Sequence, residues 1–202
     1  MYRNLFKRVF DFIFAVLFFV VFSPILIITY FIIKKDSEGP ALFIQERTGK
    51  NGKPFKMYKF RTMIVETEKN GRTLTHDERV TKVGSFLRKT SIDELPQIIN
   101  IIKGDMSFIG PRPWITEYYE KFDEEQKKRV DVLPGISGQA QTMGRNGISI
   151  FDKINHDIEY SKNVSLWLDL KILFLTFIVL LKREHAEISQ ENIVQEIELL
   201  NK

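Results

Sequence analysis

Two adjacent carboxylates, Asp93 and Glu94, stand before Leu95-Pro96, and Pro96 opens a short apolar stretch, Gln97-Ile-Ile-Asn-Ile-Ile-Lys103. A carboxylate in that place can act as a nucleophile or hold a cation. The spacing predicts a helix from Pro96 to about Lys103 that stops at Gly104, where glycine suits the left-handed position past a helix end. Asp93 or Glu94 then lies at or near the N-cap, and the first-turn N–H groups and the helix dipole favour its ionised form. Gly110-Pro111-Arg112-Pro113 follows. Proline on both sides restricts the backbone of Arg112 and aims a planar donor fork suited to phosphate. In Gly144-Arg145-Asn146, an arginine next to a glycine in a loop, Arg145 is a second candidate phosphate or nucleotide ligand. A plainer reading stands beside this chemistry: Ser91-x-x-Glu94 has the spacing of a capping box, and an acidic residue before a helix is most often only a cap.

The whole block changes that balance. Ser91-x-Asp93-Glu94-Leu95-Pro96-Gln97, followed by Lys103-Gly104-Asp105-Met106-Ser107-x-x-Gly110-Pro111-Arg112-Pro113, resembles the signature of the bacterial sugar transferases. These are small monotopic phosphoglycosyl transferases that load a phospho-sugar onto a polyprenyl phosphate. The resemblance continues through Lys59-Phe60-Arg61-Thr62-Met63, Pro134-Gly-Ile-Ser-Gly-x-Ala-Gln141, Asp157-x-x-Tyr160 and Leu168-Asp-Leu-Lys171, and covers roughly residues 1 to 183. It implies that Asp93 attacks the β-phosphorus of a UDP-sugar and releases UMP, and that Glu94 binds Mg²⁺. Undecaprenyl phosphate would then take the sugar phosphate from a phospho-aspartyl intermediate, the first membrane step of a bacterial glycoconjugate pathway. By the same resemblance Lys59 belongs to the active-site floor and Arg88 is a further phosphate ligand. The chemistry is coherent. A carboxylate attacking a diphosphate forms a reactive mixed anhydride and splits one hard step into two. The electrophile is polyanionic, so arginines and a divalent cation are needed to neutralise it, and carboxylate and phosphate oxygens suit Mg²⁺. One departure concerns the sugar: relatives often carry a tryptophan just after the Arg-Asn loop, where this chain has Ile150 and Phe151. A UDP-linked N-acetylated amino sugar is the first expectation for the donor.

The elements that must position these residues begin with a membrane segment. Phe12 to Ile33 is a run of 22 residues without a charge, framed by Arg3, Lys7 and Arg8 before it and Lys34 and Lys35 after. As one straight helix it would reach about 33 Å, enough for a bilayer core. No small-residue cleavage site follows, which argues against a signal peptide. Ser23-Pro24 sits near its middle. Proline frees the Val20 carbonyl and bends a helix, and the Ser23 hydroxyl is placed to satisfy freed backbone groups. Basic flanks on both sides give no orientation. A kinked span and a hairpin that enters and leaves by one face both fit. In the family resembled, the segment is re-entrant around a matching Ser-Pro, which puts the catalytic part on the cytoplasmic face of the bacterial inner membrane.

Further along, Ala41 to Met63 reads as a hairpin around Asn51-Gly52. One face carries Phe55, Met57, Lys59, Arg61 and Met63, while Arg47, Lys50, Lys53 and Lys56 read as ordinary solvated residues. Glu66 to Glu78 reads as a flexible loop, Val80 to Thr90 as a short basic helix carrying Arg88, and Trp114 to Val132 as an amphipathic helix. Leu133 to Gln141 is a turn-rich loop. Two helices follow from Phe151, parted at Asn163 and Ser165, and the uncharged run of the second, Ile172 to Leu181, is too short to span and suits an interfacial or core helix. The expected fold class is α/β, mostly helical with a small β-hairpin. The expected plan is monotopic: a re-entrant helix–break–helix over 1–36, a catalytic domain over 37–183 with interfacial amphipathic helices, and a polar tail over 184–202 that serves an oligomer contact or nothing.

Composition sets the outer bounds. The chain has 202 residues, a net charge of +4 and no cysteine. That excludes disulfides and thiolate metal sites and suits an anionic partner such as lipid headgroups or nucleotide phosphates. His76, His156 and His185 are scattered without metal-ligand spacing. Nucleic acid is not expected as a partner, because the basic residues form no stripe with interleaved aromatics. Two other function classes stay open. A membrane-anchored scaffold using its basic face for anionic lipid would bind lipid without releasing UMP. A lipid-diphosphate phosphohydrolase would turn over without a lipid acceptor.

Overall fold

The computed structural model describes residues 2–69, 71–143 and 148–181. A π-helical turn at Tyr2–Phe6 leads into α1 (Lys7–Asp36), then the hairpin strands β1 (Leu42–Thr48) and β2 (Pro54–Phe60). A two-residue pair, β3 (Glu68–Lys69) and β4 (Arg72–Thr73), precedes α2 (His76–Arg79), α3 (Lys82–Thr90), a 3₁₀ turn at Ile92–Glu94 and α4 (Gln97–Lys103). Then come β5 (Ser107–Ile109), α5 (Thr116–Glu120), α6 (Glu124–Lys127), a 3₁₀ turn at Lys128–Val130, β6 (Gly135–Ser137), α7 (Gln139–Thr142), α8 (Ile150–Lys162) and α9 (Leu166–Leu181).

Helix α1 runs uninterrupted through Pro24, where two helices were expected. The donor that proline lacks leaves the Val20 carbonyl open, and the Ser23 hydroxyl donates to it at 2.8 Å. The gap is patched locally, so the helix bridges it. α1 is buried at Lys7, Asp11 and Ala15 and again at Thr29 and Ile33, four-residue steps along one face. In between, Val20 and Val21 are 63% and 61% exposed. Both ends rest on the same body. Ala15 packs with Met57, Ile98, Ile101 and Met106, and Ile33 packs with Ala41, Phe60 and Leu87. Polar contacts reinforce the first end: Arg8 donates to the carbonyls of Ile101 (2.8 Å) and Ile102 (3.4 Å) in the last turn of α4. Lys7 pairs with Asp169 of α9 at 2.6 Å, and Tyr2 and Tyr160 hydrogen-bond the same carboxylate.

Strands β1 and β2 pair antiparallel from Leu42↔Phe60 to Thr48↔Pro54, and the turn places Asn51 (φ 57°) and Gly52 (φ 76°) in the left-handed region, as the Asn-Gly signal predicts. The buried Asn100 of α4 ties the helix to β2: its Oδ1 accepts from Tyr58 N at 3.1 Å and its Nδ2 donates to Lys56 O at 2.7 Å. β5 and β6 form a short parallel pair, unforeseen in the sequence because each has only three residues. At its end Gly110 meets Gly135, where a Cβ on Gly135 would lie 2.1 Å from Gly110 N. Only glycines let these two loops cross so closely.

Two further expectations are corrected. The loop expected over Glu66 to Glu78 contains the β3–β4 pair and the start of α2, where Thr75 and Glu78 form a capping box. The helix expected over Trp114 to Val132 is divided into α5, α6 and a 3₁₀ turn. Asp123 caps α6, accepting from Gln126 N at 2.8 Å, and a side chain that caps a new helix ends the preceding one. In α9, Trp167 (78% exposed), Leu170, Leu173, Phe174 and Phe177 stand clear of the body while Ile172 is buried. The tail over 184–202 lies outside the described residues.

Candidate active site

The dyad lies where the 3₁₀ turn at Ile92–Glu94 feeds α4, against β2 and the Gly110–Pro113 turn. Glu94 Oε1 accepts from Lys59 Nζ at 2.7 Å and from Arg112 Nη2 at 3.1 Å. Asp93 makes no hydrogen bond or ion pair among the described residues, although the charges of Glu94, Lys59, Arg88 and Arg112 all act on it. Neither carboxylate caps a helix. Pro96 is the N-cap of α4 and Ser91 that of the 3₁₀ turn, neither with a side-chain cap, so the capping-box reading of Ser91-x-x-Glu94 is not realised.

The two acids are driven apart electrostatically. Burial, followed by the charge of Glu94, raises Asp93 to about 6 against the pull of Lys59, Arg88 and Arg112. Burial also pushes Glu94 upward, but Arg112 and Lys59 outweigh it and hold it at about 2. The expectation that the helix N-terminus ionises the dyad is therefore overturned for Asp93, because no backbone N–H reaches it. Such a split gives neighbouring carboxyls different roles: one permanently charged and clamped, the other unbonded and near neutrality in its titration.

Around this pair stands a supporting layer. Arg129 is fully buried, donates to Asp157 Oδ2 through Nε (3.1 Å) and Nη2 (2.5 Å), and donates through Nη2 to the carbonyl of Arg112 at 2.8 Å. Its guanidinium also lies 4.5 Å from the Trp114 ring centre. The Arg112 backbone is thus held from below, and its side chain, 49% exposed, reaches Glu94 with most donors unspent. Arg88 Nε donates to the Thr62 hydroxyl at 3.0 Å. α3 approaches that segment so closely that a Cβ on Gly84 would lie 1.9 Å from Thr62 O. Arg61, two residues after Lys59 in sequence, is structural: it donates to the carbonyls of Ser37, Pro40 and Met63 and to the Ser37 hydroxyl, pinning the exit of α1 to β2.

The model of the family described as bacterial sugar transferase matches residues 2–183. The chain belongs to the bacterial sugar transferase family. Among relatives of this sugar transferase, one of Bacillus subtilis (strain 168), named uncharacterized sugar transferase EpsL, is 45% identical over 170 residues, 84% of each chain. A UDP-N-acetylgalactosamine-undecaprenyl-phosphate N-acetylgalactosaminephosphotransferase of Aeromonas hydrophila is 45% identical over 178 residues, covering 84% of this chain and 42% of its own. A UDP-glucose:undecaprenyl-phosphate glucose-1-phosphate transferase of Escherichia coli (strain K12) is 43% identical over 184 residues, 86% of this chain and 40% of its own. The chain therefore spans most of the first relative and about two fifths of the other two.

Of the residues singled out in the sequence, this sugar transferase brings Lys59, Arg88, Asp93, Glu94 and Arg112 to one place. Ser23 and Pro24 lie in α1, and Arg145 lies outside the described residues. Arg47, read from sequence as a solvated strand residue, instead borders the site. It is half-buried beside Arg112 and Glu94, which with burial act on its charge. The only sequence signal was its register on a hairpin face shared with Lys59. Among the described residues no three His, Asp or Glu side chains cluster to form a ready-made metal cage. The donor set still fits a hard divalent ion held partly by substrate, since Asp93 and Glu94 Oε2 carry no hydrogen bonds and Mg²⁺ commonly binds one or two carboxylates plus phosphate oxygens.

Proposed function

We propose that this protein transfers a sugar-1-phosphate from a UDP-sugar to undecaprenyl phosphate and releases UMP, working from one face of the membrane. The observation that carries this reading is the unbonded Asp93, flanked by Lys59, Arg88 and Arg112 and beside a Glu94 already held ionised. An Asp93 carboxylate oxygen attacks the β-phosphorus, the bond from that phosphorus to the oxygen bridging the two phosphates breaks, and UMP leaves with that oxygen. An oxygen of undecaprenyl phosphate then attacks the same phosphorus, and the aspartate carboxylate is released. Arg112 and Arg88 stabilise charge on the phosphoryl oxygens. Lys59 orients Glu94. Bound through Glu94 and the substrate phosphates, Mg²⁺ would neutralise the diphosphate. Arg145 completes the reading as a nucleotide-phosphate ligand.

The same reading makes the membrane segment re-entrant. Support comes from α1 resting on one body at both Ala15 and Thr29, which are 0% and 5% exposed. The stretch between them, residues 16–28, would reach only about 20 Å, short of a ~30 Å bilayer core. Its exposed apolar surface and that of α9 suit burial in the leaflet facing the catalytic body, taken to be the cytoplasmic one. A soluble nucleotide and a lipid phosphate could then meet at the headgroup level. The relatives' names carry different sugars at similar identity, so the donor is a matter for direct assay, with UDP-N-acetylamino sugars first in the panel.

The deciding assay is UMP release from a panel of UDP-sugars with Mg²⁺ and undecaprenyl phosphate in detergent. Wild type is expected to release UMP with one donor, and Asp93→Asn to lose at least ~10³-fold, as expected for removing a nucleophile. Turnover without the lipid would indicate hydrolysis. A folded, lipid-binding preparation that releases no UMP from any donor would reduce the protein to a scaffold.

A further inference from the structure

Arg47 is the cation whose position the preceding chemistry leaves unused. The register Arg47↔Phe55, Gln45↔Met57 and Phe43↔Lys59 puts it on the hairpin face shared with Lys59, because directly paired residues project to the same side. That face covers α4: Met57 and Phe55 pack with Ile98 and Ile101. Beside it, Thr48 N donates to the Trp114 carbonyl at 2.8 Å, joining the end of β1 to the chain that leaves Pro113. Arg47 therefore stands between the hairpin floor and the Arg112 turn.

Its bonding is incomplete there. Nη2 donates to Gln45 Oε1 at 2.6 Å, while Nε is buried and has no partner. Among the described residues no carboxylate pairs with it, and Glu94, whose charge acts on it, is already shared by Lys59 and Arg112. Burial and then the charge of Arg112 depress Arg47 to about 10, against the opposing influence of Tyr118 and Glu94. A half-buried guanidinium within the influence of another guanidinium's charge is costly unless something anionic arrives. Lys59, Arg88 and Arg112 act on Asp93, and Arg47 lies within the influence of Glu94, so four cations meet two carboxylates with an excess of two positive charges. A nucleoside diphosphate-sugar carries two negative charges on its diphosphate.

We propose that Arg47 and Arg112 form a two-guanidinium clamp for the diphosphate of the donor, with Arg47 as a direct phosphate ligand. The proposal rests on the transferase reading above. The clamp is loaded in the free protein, its like charges held together by the fold, and the diphosphate relieves it. Binding and stability then move in opposite directions at this residue, which a merely structural arginine would not allow.

The test is isothermal titration of UDP, with Mg²⁺, into the full chain in detergent micelles, paired with thermal unfolding of the ligand-free protein. Arg47→Gln is expected to weaken UDP binding by about tenfold or more, the scale of a charge-assisted hydrogen bond, while leaving the thermal midpoint unchanged or higher. Arg47→Lys keeps the charge without the fork and is expected to bind at an intermediate strength. It also carries the test if the glutamine variant fails to fold. Unaltered UDP affinity in both variants, with a wild type that binds UDP, would overturn the clamp and leave the transferase reading standing. Weaker binding with a clearly lowered midpoint in both variants would make Arg47 structural and overturn the clamp. A wild type that binds no UDP would sink both ideas.

Discussion

Asp93 and Glu94 are neighbours with opposite electrostatic fates, and the difference is one of partners. Glu94 reaches two cations and stays charged; Asp93 reaches none directly and is raised to about 6. In the proposed mechanism Asp93 attacks only when ionised, so kcat/KM for UMP release is expected to climb through about pH 6 and level off above pH 7. A flat profile between pH 5 and 8 would contradict the raised value. The same shift has a stability consequence of definite sign. A carboxyl raised from 3.8 loses folded-state stability as pH rises from about 4 to 6, where the unfolded chain ionises first. Asp93→Asn is therefore expected to stabilise the inactive protein by about 1–2 kcal/mol at pH 7.5, a figure reduced for partial exposure, and to lose that advantage below pH 4. Thermal unfolding of both proteins across pH checks it. The types and spacing of these residues were legible in the sequence. Their split was not, because it depends on Lys59, 35 positions away, and on Arg112, 18 positions away.

Elements matter here through what they hold still. The Gly110–Pro113 turn presents Arg112 because α8 and the 3₁₀ turn at Lys128–Val130 bury Asp157 against Arg129, which grips the Arg112 carbonyl. Asp157→Ala leaves a buried guanidinium without its counter-charge, expected to cost about 3–5 kcal/mol. If the pair also positions Arg112, UDP affinity should fall in whatever fraction remains folded, at temperatures well below the midpoint. Affinity that survives such destabilisation would limit the pair to a structural role. The sequence marked Asp157-x-x-Tyr160 only as a matching pattern and gave no hint of Arg129. Periodicity reports which face of a helix is apolar, and it is silent about a charged side chain swallowed whole. Short strands such as β5 and helices interrupted by an internal cap, such as α5 and α6, escape periodic reading for a related reason: they last less than two full periods.

At the scale of the molecule, one long apolar helix packs against the elements that carry the site at both of its ends. Arg8 caps α4, whose first residues follow the dyad, and Ile33 packs beside Phe60, next to Lys59. In the proposed membrane reading, lipid insertion of α1 and the geometry of the site are mechanically continuous. Because the chain has no cysteine, single cysteines can report its topology directly. Arg3→Cys and Glu38→Cys are expected to react with a membrane-impermeant maleimide from the same side of sealed vesicles, and Ser23→Cys to be protected. Labelling of residues 3 and 38 from opposite sides would establish a span and undo the re-entrant reading.

What the sequence by itself determined was local. An uncharged run of 22 residues, an Asn-Gly hairpin, a helix closed by Gly104 and an acidic dyad beside a Pro-Arg-Pro turn all follow from neighbours a few positions apart. Tertiary structure alone decided which cations meet which carboxylates, that Arg61 is a staple while Arg47 borders the site, and that both ends of α1 return to one body. Charge and desolvation act through space over distances that sequence separation does not measure, so these outcomes exist only once the chain is folded.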